Sequence, residues 1–268
     1  MISPWQPHGF VEIKGKSLEY GCIGPSPDTA PTLVLLHEGL GCLALWRDFP
    51  QKLADETGYG ILVYSRAGYG QSDNADLPRP LDYMSREATD VLPDLLNSFA
   101  LRNAVLVGHS DGASISAVYA GTMDDPSIKG AVLMAPHFFT EPMGLASIEE
   151  AKDVFDTQDL KAKLGKYHKD PENCFRGWND SWLHPDFKAW TITDVLDAMP
   201  VPILAIQGSD DQYGTLAQID VITERSPSPV DTLVLDDCRH SPFLDRPDAV
   251  LNAIKAFLQT TMPQDGRG

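Results

Sequence analysis

The chain has 268 residues, enough to build its own core as one large domain or two small ones without disulfides or bound metal. Apolar residues make up 43% and charged residues 22%, an ordinary globular composition that excludes a disordered or fibrous chain. Acidic residues outnumber basic ones 38 to 21, for a formal charge of −17, and so negative a surface argues against nucleic acid and anionic membrane as partners.

The N-terminal stretch MISPWQPHGFVEIKGK lacks the basic and apolar regions of a secretory signal, and no apolar run reaches the roughly 18 residues of a membrane span. Residues 10–23, FVEIKGKSLEYGCI, predict a β-hairpin around Gly15-Lys16. The Pro-rich spacer GPSPDTAP leads to Thr32–Leu36, a short continuous apolar run of the kind buried on both faces of a parallel sheet. Similar runs follow at Gly60–Tyr64, Ala104–Val107, Ala131–Met134, Ile203–Ile206 and Thr232–Leu235. Helical patterns lie between most of them: Met84–Ala100, interrupted by Pro93, and Ala249–Leu258 carry apolar stripes. This alternation predicts an α/β fold with a mostly parallel sheet flanked by helices.

Residues 137–199 break the rhythm. No strand-like run occurs there, and Trp178, Trp182 and Trp190 fall among charged residues. An excursion of this length reads as an inserted helical cap, with 1–136 and 200–268 forming the core domain. The C-terminal TMPQDGRG is expected to fray. Cys22, Cys42, Cys174 and Cys238 are widely spaced without metal-ligand patterns, which predicts free thiols, a cytoplasmic location and no metal or cofactor.

The densest chemical signal is Gly108-His109-Ser110-Asp111-Gly112, between a predicted strand and a helix rich in small residues. A G-x-S-x-G element in that context sets its serine on a strained strand-to-helix turn, where small flanking residues let the backbones approach. Ser110 is therefore the candidate nucleophile, and the Asp111 N–H, at a helix N-terminus, a candidate oxyanion donor. The Asp111 carboxylate suits the helix dipole by about 0.3–1 kcal/mol, and it also brings negative charge that would favour neutral esters or lactones. A serine needs a base, and the base a carboxylate that orients it. Candidates follow two late strands: Asp210-Asp211 after the first and His240 after the second.

In this order of motifs the chain resembles the α/β-hydrolase superfamily over nearly its whole length. His37-Glu38-Gly39-Leu40-Gly41 resembles the family's oxyanion loop, and Arg66-Ala67-Gly68-Tyr69-Gly70-Gln71-Ser72 its R-x-G-x-G-x-S segment. Gly208–Asp211 matches the G-x-x-D acid loop and favours Asp211 over Asp210, and His240 matches the family's histidine. His37 and His109 are then structural. Glu38 stands where the family carries glycine, and an ion pair with Arg66 is expected for it. The second oxyanion donor is expected at Gly39, with Leu40 as the alternative. Glu38, Leu40, Phe138, Trp178 and Trp182 are the candidate pocket residues.

The resemblance implies an esterase-like serine hydrolase acting on a small neutral carboxylic ester, thioester or lactone through an acyl-enzyme, with Ser110, Asp211 and His240 catalytic. Carbon–carbon bond cleavage in ring-fission diketones is an alternative; Arg176 could supply its cation, but Ser241 stands where such enzymes carry tryptophan. Epoxide hydrolase and dehalogenase relatives use aspartate at the elbow, where this chain has Ser110. A non-catalytic ligand receptor on the same fold is the alternative of another class.

Overall fold

The computed structural model describes residues 5–262; of the segment 261–268 expected to fray, Thr261 ends the last helix, and 263–268 lie outside the described residues. An antiparallel hairpin opens the chain: β1 (Gly9–Ile13) and β2 (Lys16–Ile23) turn at Lys14-Gly15, both with positive φ as a two-residue hairpin turn requires. Six further strands complete an eight-stranded sheet: β3 (Thr32–Leu36), β4 (Gly60–Tyr64), β5 (Ala104–His109), β6 (Ile128–Met134), β7 (Ile203–Gly208) and β8 (Val230–Leu235). Their order is β1-β2-β4-β3-β5-β6-β7-β8, with every pairing from β4 onward parallel.

The continuous apolar runs have a direct cause. Alternate residues of a strand point to opposite faces, and here both faces are covered. Val34, Leu36, Leu106 and Leu133 enter one core cluster, while Leu33, Leu35, Val107 and Val132 enter the other. One face packs α2 (Tyr83–Arg86), α3 (Leu92–Ser98), α4 (Asp111–Thr122) and the insertion; the opposite face packs α1 (Phe49–Thr57) and the C-terminal helix. Between α2 and α3 the chain widens into a π turn over Glu87–Val91, where the Leu92 N–H reaches back to the Glu87 carbonyl. Pro93 has no N–H to continue an ordinary ladder, and the stripe stays helical around it.

β8 departs from expectation. Asp231, Thr232 and Val234 are exposed, so this is a sheet edge rather than a strand buried on both faces. An acidic residue on that edge discourages pairing with another chain.

The insertion between β6 and β7 carries α5 (Pro142–Thr157), α6 (Leu160–Leu164) and α7 (Pro171–Trp182), then single turns at Pro185–Ala189 and Thr193–Ala198. His168 pins it to the core: Nδ1 accepts from the Gly70 N–H at 3.0 Å and Nε2 donates to the Leu40 carbonyl at 3.1 Å. The chain finishes with α8 (Ala217–Arg225), α9 (Pro242–Asp245) and α10 (Pro247–Thr261). No described helix is long and apolar enough to cross a membrane. All four cysteines are buried and unpaired, and burial pushes the Cys22 and Cys42 thiols up to about 12.

Helix α4 starts in close contact with the backbone of β3. A methyl group on Gly112 would strike the carbonyls of Leu36 and His37 on β3 and the loop after it, so only glycine lets α4 dock that deeply. Gly112→Ala should therefore cost about 1–3 kcal/mol of stability through overpacking, read as a lower urea midpoint at unchanged slope.

Candidate active site

A strained turn joins β5 to α4. Ser110 holds φ 53° and ψ −117°, a left-handed conformation for a residue with a side chain. Main-chain bonds hold it there: its N–H reaches the Met134 carbonyl at 2.9 Å, and its carbonyl accepts from Ala113 and Ser114. The side chain is left above the C-terminal edge of the sheet. Ser110 Oγ lies 2.9 Å from His240 Nε2, and His240 Nδ1 lies 2.8 Å from Asp211 Oδ2.

Asp211 is buried and also accepts from Gln207 Nε2 at 2.9 Å and the Tyr213 N–H at 2.8 Å. Burial raises its carboxyl, and the His240 hydrogen bond and charge reverse that, leaving it below the ordinary value. Asp210 is exposed and makes no contact with His240. Of the two neighbours it is Asp211, the one the G-x-x-D spacing favours, that bonds His240.

Glu38 does not pair with Arg66. Its carboxylate meets His109 Nδ1 at 3.3 Å, and His109 Nε2 donates to the His240 carbonyl at 2.6 Å. Both partners of His109 offer acceptors, an arrangement that favours the doubly protonated ring. Burial lowers the His109 pKa, but the Glu38 bond and charge outweigh it and leave it raised. Burial likewise pushes Glu38 up, and the His109 hydrogen bond and charge bring it down to about 2. Arg66 instead takes the Glu38 carbonyl at 2.9 Å and lies 3.5 Å from Asp111 Oδ2, while its own N–H reaches His37 Nε2 at 3.1 Å. Burial first, and Arg66 second, hold His37 well below its usual value and keep it neutral. Sequence spacing carried no signal for the Glu38–His109 pair, because one residue follows β3 and the other ends β5.

Asp111 is wholly buried. Oδ2 accepts from the Tyr83 hydroxyl at 2.6 Å, which itself accepts from Trp182 Nε1 at 3.0 Å. Its carboxylate faces Arg66 and Tyr83, and Asp111 is not part of the cavity wall.

A cavity of about 90 Å³ lies over Ser110 and His240. Glu38, Gly39 and Leu40 form one side, and Ile148, Trp178 and Trp182 of the insertion the other. Trp178 packs so closely on Gly39 that a methyl group there would meet the indole, which accounts for glycine at that position. Phe138 is a correction: it is fully buried in the core cluster and absent from the wall. Its neighbour His137 takes the place, with Tyr213, and neither they nor Ile148 belong to a motif. Their available signal is position, since His137 and Tyr213 follow β6 and β7, and loops after parallel strands line the crevice of such sheets. The His137 ring centroid is 5.5 Å from that of His240, and burial, with repulsion from His240, drops its pKa to about 3. Arg176 is turned away from the cavity, bound to Asp156 and Glu172. Among the described residues no group of three or more His, Cys, Asp or Glu could hold a metal ion.

Residues 33–253 match the profile of the Alpha/beta hydrolase family, and the chain belongs to that family. Hydrolase chemistry is the class of activity this membership supports. Among individual proteins, it is 23% identical to a proline iminopeptidase of Lactobacillus acidophilus over 93% of this chain and 97% of that one. A bifunctional esterase/perhydrolase of Acinetobacter calcoaceticus is 27% identical over 76% of this chain and 82% of its own. Human epoxide hydrolase 4 matches only half of this chain and 36% of its own length, at 28% identity. The enol-lactonase structure from Burkholderia xenovorans superposes with a TM-score of 0.72 at 18% identity, covering 94% of this chain and all of that one, a likeness of fold.

The Glu38–His109 pair has a pH signature. Glu38 is depressed, so its contribution is present above the ordinary 4.5 and is lost as pH falls toward 2. His109 is raised, so its contribution is full below 6.5 and is lost as pH climbs through the elevated value. Glu38→Gln keeps an acceptor but removes the charge, and should cost roughly 1–2 kcal/mol. Urea unfolding of both proteins across pH should show that difference largest between 4.5 and 6.5 and smaller on either side.

Proposed function

We propose that this protein is a serine hydrolase that cleaves a small, neutral carboxylic ester through an acyl-enzyme on Ser110. The observation that carries this reading is the hydrogen-bonded line from Ser110 through His240 to Asp211, ending at the floor of a small cavity. In this reading His240 takes the Ser110 proton as Oγ attacks the ester carbonyl, then passes it to the departing alkoxide. Asp211 holds the proton on His240 Nδ1 and offsets the charge of the imidazolium. The N–H groups of Asp111 and Gly39 receive the oxyanion, where one such donor is worth about 2.7–4 kcal/mol to the transition state. The alcohol leaves, water then repeats the sequence on the acyl-enzyme, and the acid is released.

The substrate class follows from the cavity. Sites for drug-sized ligands measure about 300–1,000 Å³, and this one measures about 90 Å³. A short acyl group fits that volume. The wall holds no lysine or arginine to receive a carboxylate, and Glu38 is committed to His109, which favours an uncharged substrate. Ring-fission diketones lose support, because Arg176 is engaged elsewhere. Residues 137–199 act in this reading as the cap that sets what fits above Ser110.

Steady-state hydrolysis of p-nitrophenyl esters from acetyl to decanoyl tests the reading. Saturable turnover is expected, highest for acetyl to butyryl and reduced to background in Ser110→Ala. Asp211→Asn should lower kcat by about 10⁴-fold while Asp210→Asn changes it little. Turnover that survives in Ser110→Ala, or an optimum at octanoyl, would overturn it.

A further inference from the structure

A second hollow lies on the outside of the insertion. It measures about 560 Å³ and has apolar walls from Pro142, Leu145 and Ala146 of α5 and from Leu183, with Glu149 and Lys188 also lining it. Among the described residues, Trp182 alone borders both this groove and the cavity over Ser110. Trp182 is only 4% exposed and borders both a space of 90 Å³ and one about six times larger.

The indole is also held in one orientation. An indole N–H can only donate and a carboxylate can only accept. The Tyr83 hydroxyl between them therefore has a single arrangement, accepting from Trp182 Nε1 at 3.0 Å and donating to Asp111 Oδ2 at 2.6 Å. All three side chains are buried, so a swing of the indole away from Tyr83 would leave the Trp182 N–H without an acceptor and the Tyr83 oxygen without its donor. On its other sides the ring packs against His137 at 5.3 Å and Phe187 at 5.1 Å between centroids.

We infer that Trp182 sets the acyl-length limit of the enzyme, as a partition closing the cavity off from the outer groove, and that Tyr83 is the positioning residue that locks it in place. This rests on the ester-hydrolase reading and deepens it. The lock ends on Asp111, the residue next to Ser110, so the wall that measures the acyl group and the turn that presents the hydroxyl share one hydrogen-bonded line. With the partition in place, a chain longer than a few carbons meets the indole. Without it, the chain passes between α5 and α7 into the outer groove.

The test compares kcat/KM for acetyl and octanoyl p-nitrophenyl esters, and the rates at which ethyl and octyl p-nitrophenyl phosphonates inactivate Ser110, in four proteins. Trp182→Leu should raise the octanoyl-to-acetyl ratio by at least roughly tenfold, the scale that pocket contacts with a methylene command. Tyr83→Phe should move it the same way by less, raising kcat/KM for the long ester more than it changes kcat for the short one. Ala146→Trp, added to Trp182→Leu, fills the groove from an exposed position and should reverse the gain. If Trp182→Leu does not fold, Trp182→Phe reads the same ratio with smaller amplitude. A folded variant that reacts with an unchanged ratio overturns the partition alone. Failure of Ser110 to react with any ester or phosphonate overturns the hydrolase reading and the partition with it.

Discussion

Ser110 occupies a backbone conformation that costs a residue with a side chain roughly 1–3 kcal/mol, and the surrounding fold over-determines it. The strand before it is buried in mid-sheet, its N–H is taken by the Met134 carbonyl on β6, and α4 docks so closely on β3 that residue 112 must be glycine. Relaxing that turn would require pulling the helix off the sheet. The hydroxyl is therefore aimed by the core of the protein rather than by a loop, and His240 and Asp211, on loops after β8 and β7, are brought to it by the parallel order of the strands.

The charges around this turn are arranged in two carboxylate–histidine pairs. Asp211 meets His240 through its side chain, while Glu38 reaches the same residue from behind, through His109 and the His240 carbonyl. One pair orients the ring and the other holds its main chain. Arg66, 1% exposed, ties the loop after β3 to the loop after β4 and faces Asp111. A chain with a formal charge of −17 thus keeps its site charges compensated locally, and the cavity itself is mostly apolar. In such surroundings the hydrogen-bonding groups act with little competition from water.

Much of this was legible in the sequence, for physical reasons that vary by element. Strands β3 to β7 stand out because burial on both faces demands uninterrupted apolar residues, and their runs coincide with the pairing ladder to within a few residues. The same pattern misleads at β8, where Leu233 and Val234 belong to an edge, since periodicity carries no information about which strand has a neighbour. Ser110, Asp211 and His240 are marked by local motifs, and the structure brings all three within hydrogen-bond reach. The partner of Glu38 is not marked, because His109 is distant in the chain and arrives only through strand order. The cavity wall is least legible of all: His137, Ile148 and Tyr213 come from three separate segments, and Phe138, adjacent to one of them, faces the core instead.

In the proposed reading, Ser110 becomes covalently acylated while His240 and Asp211 serve the proton transfer. The direct measurement is a rapid-mixing experiment with p-nitrophenyl acetate, quenched in acid and followed by mass analysis of the peptide that carries Ser110. The expected result is a burst of p-nitrophenol approaching one per chain, with a single acetyl group on Ser110 and none in the Ser110→Ala protein. An acetyl group found on another residue, or turnover with Ser110 free throughout, would contradict it.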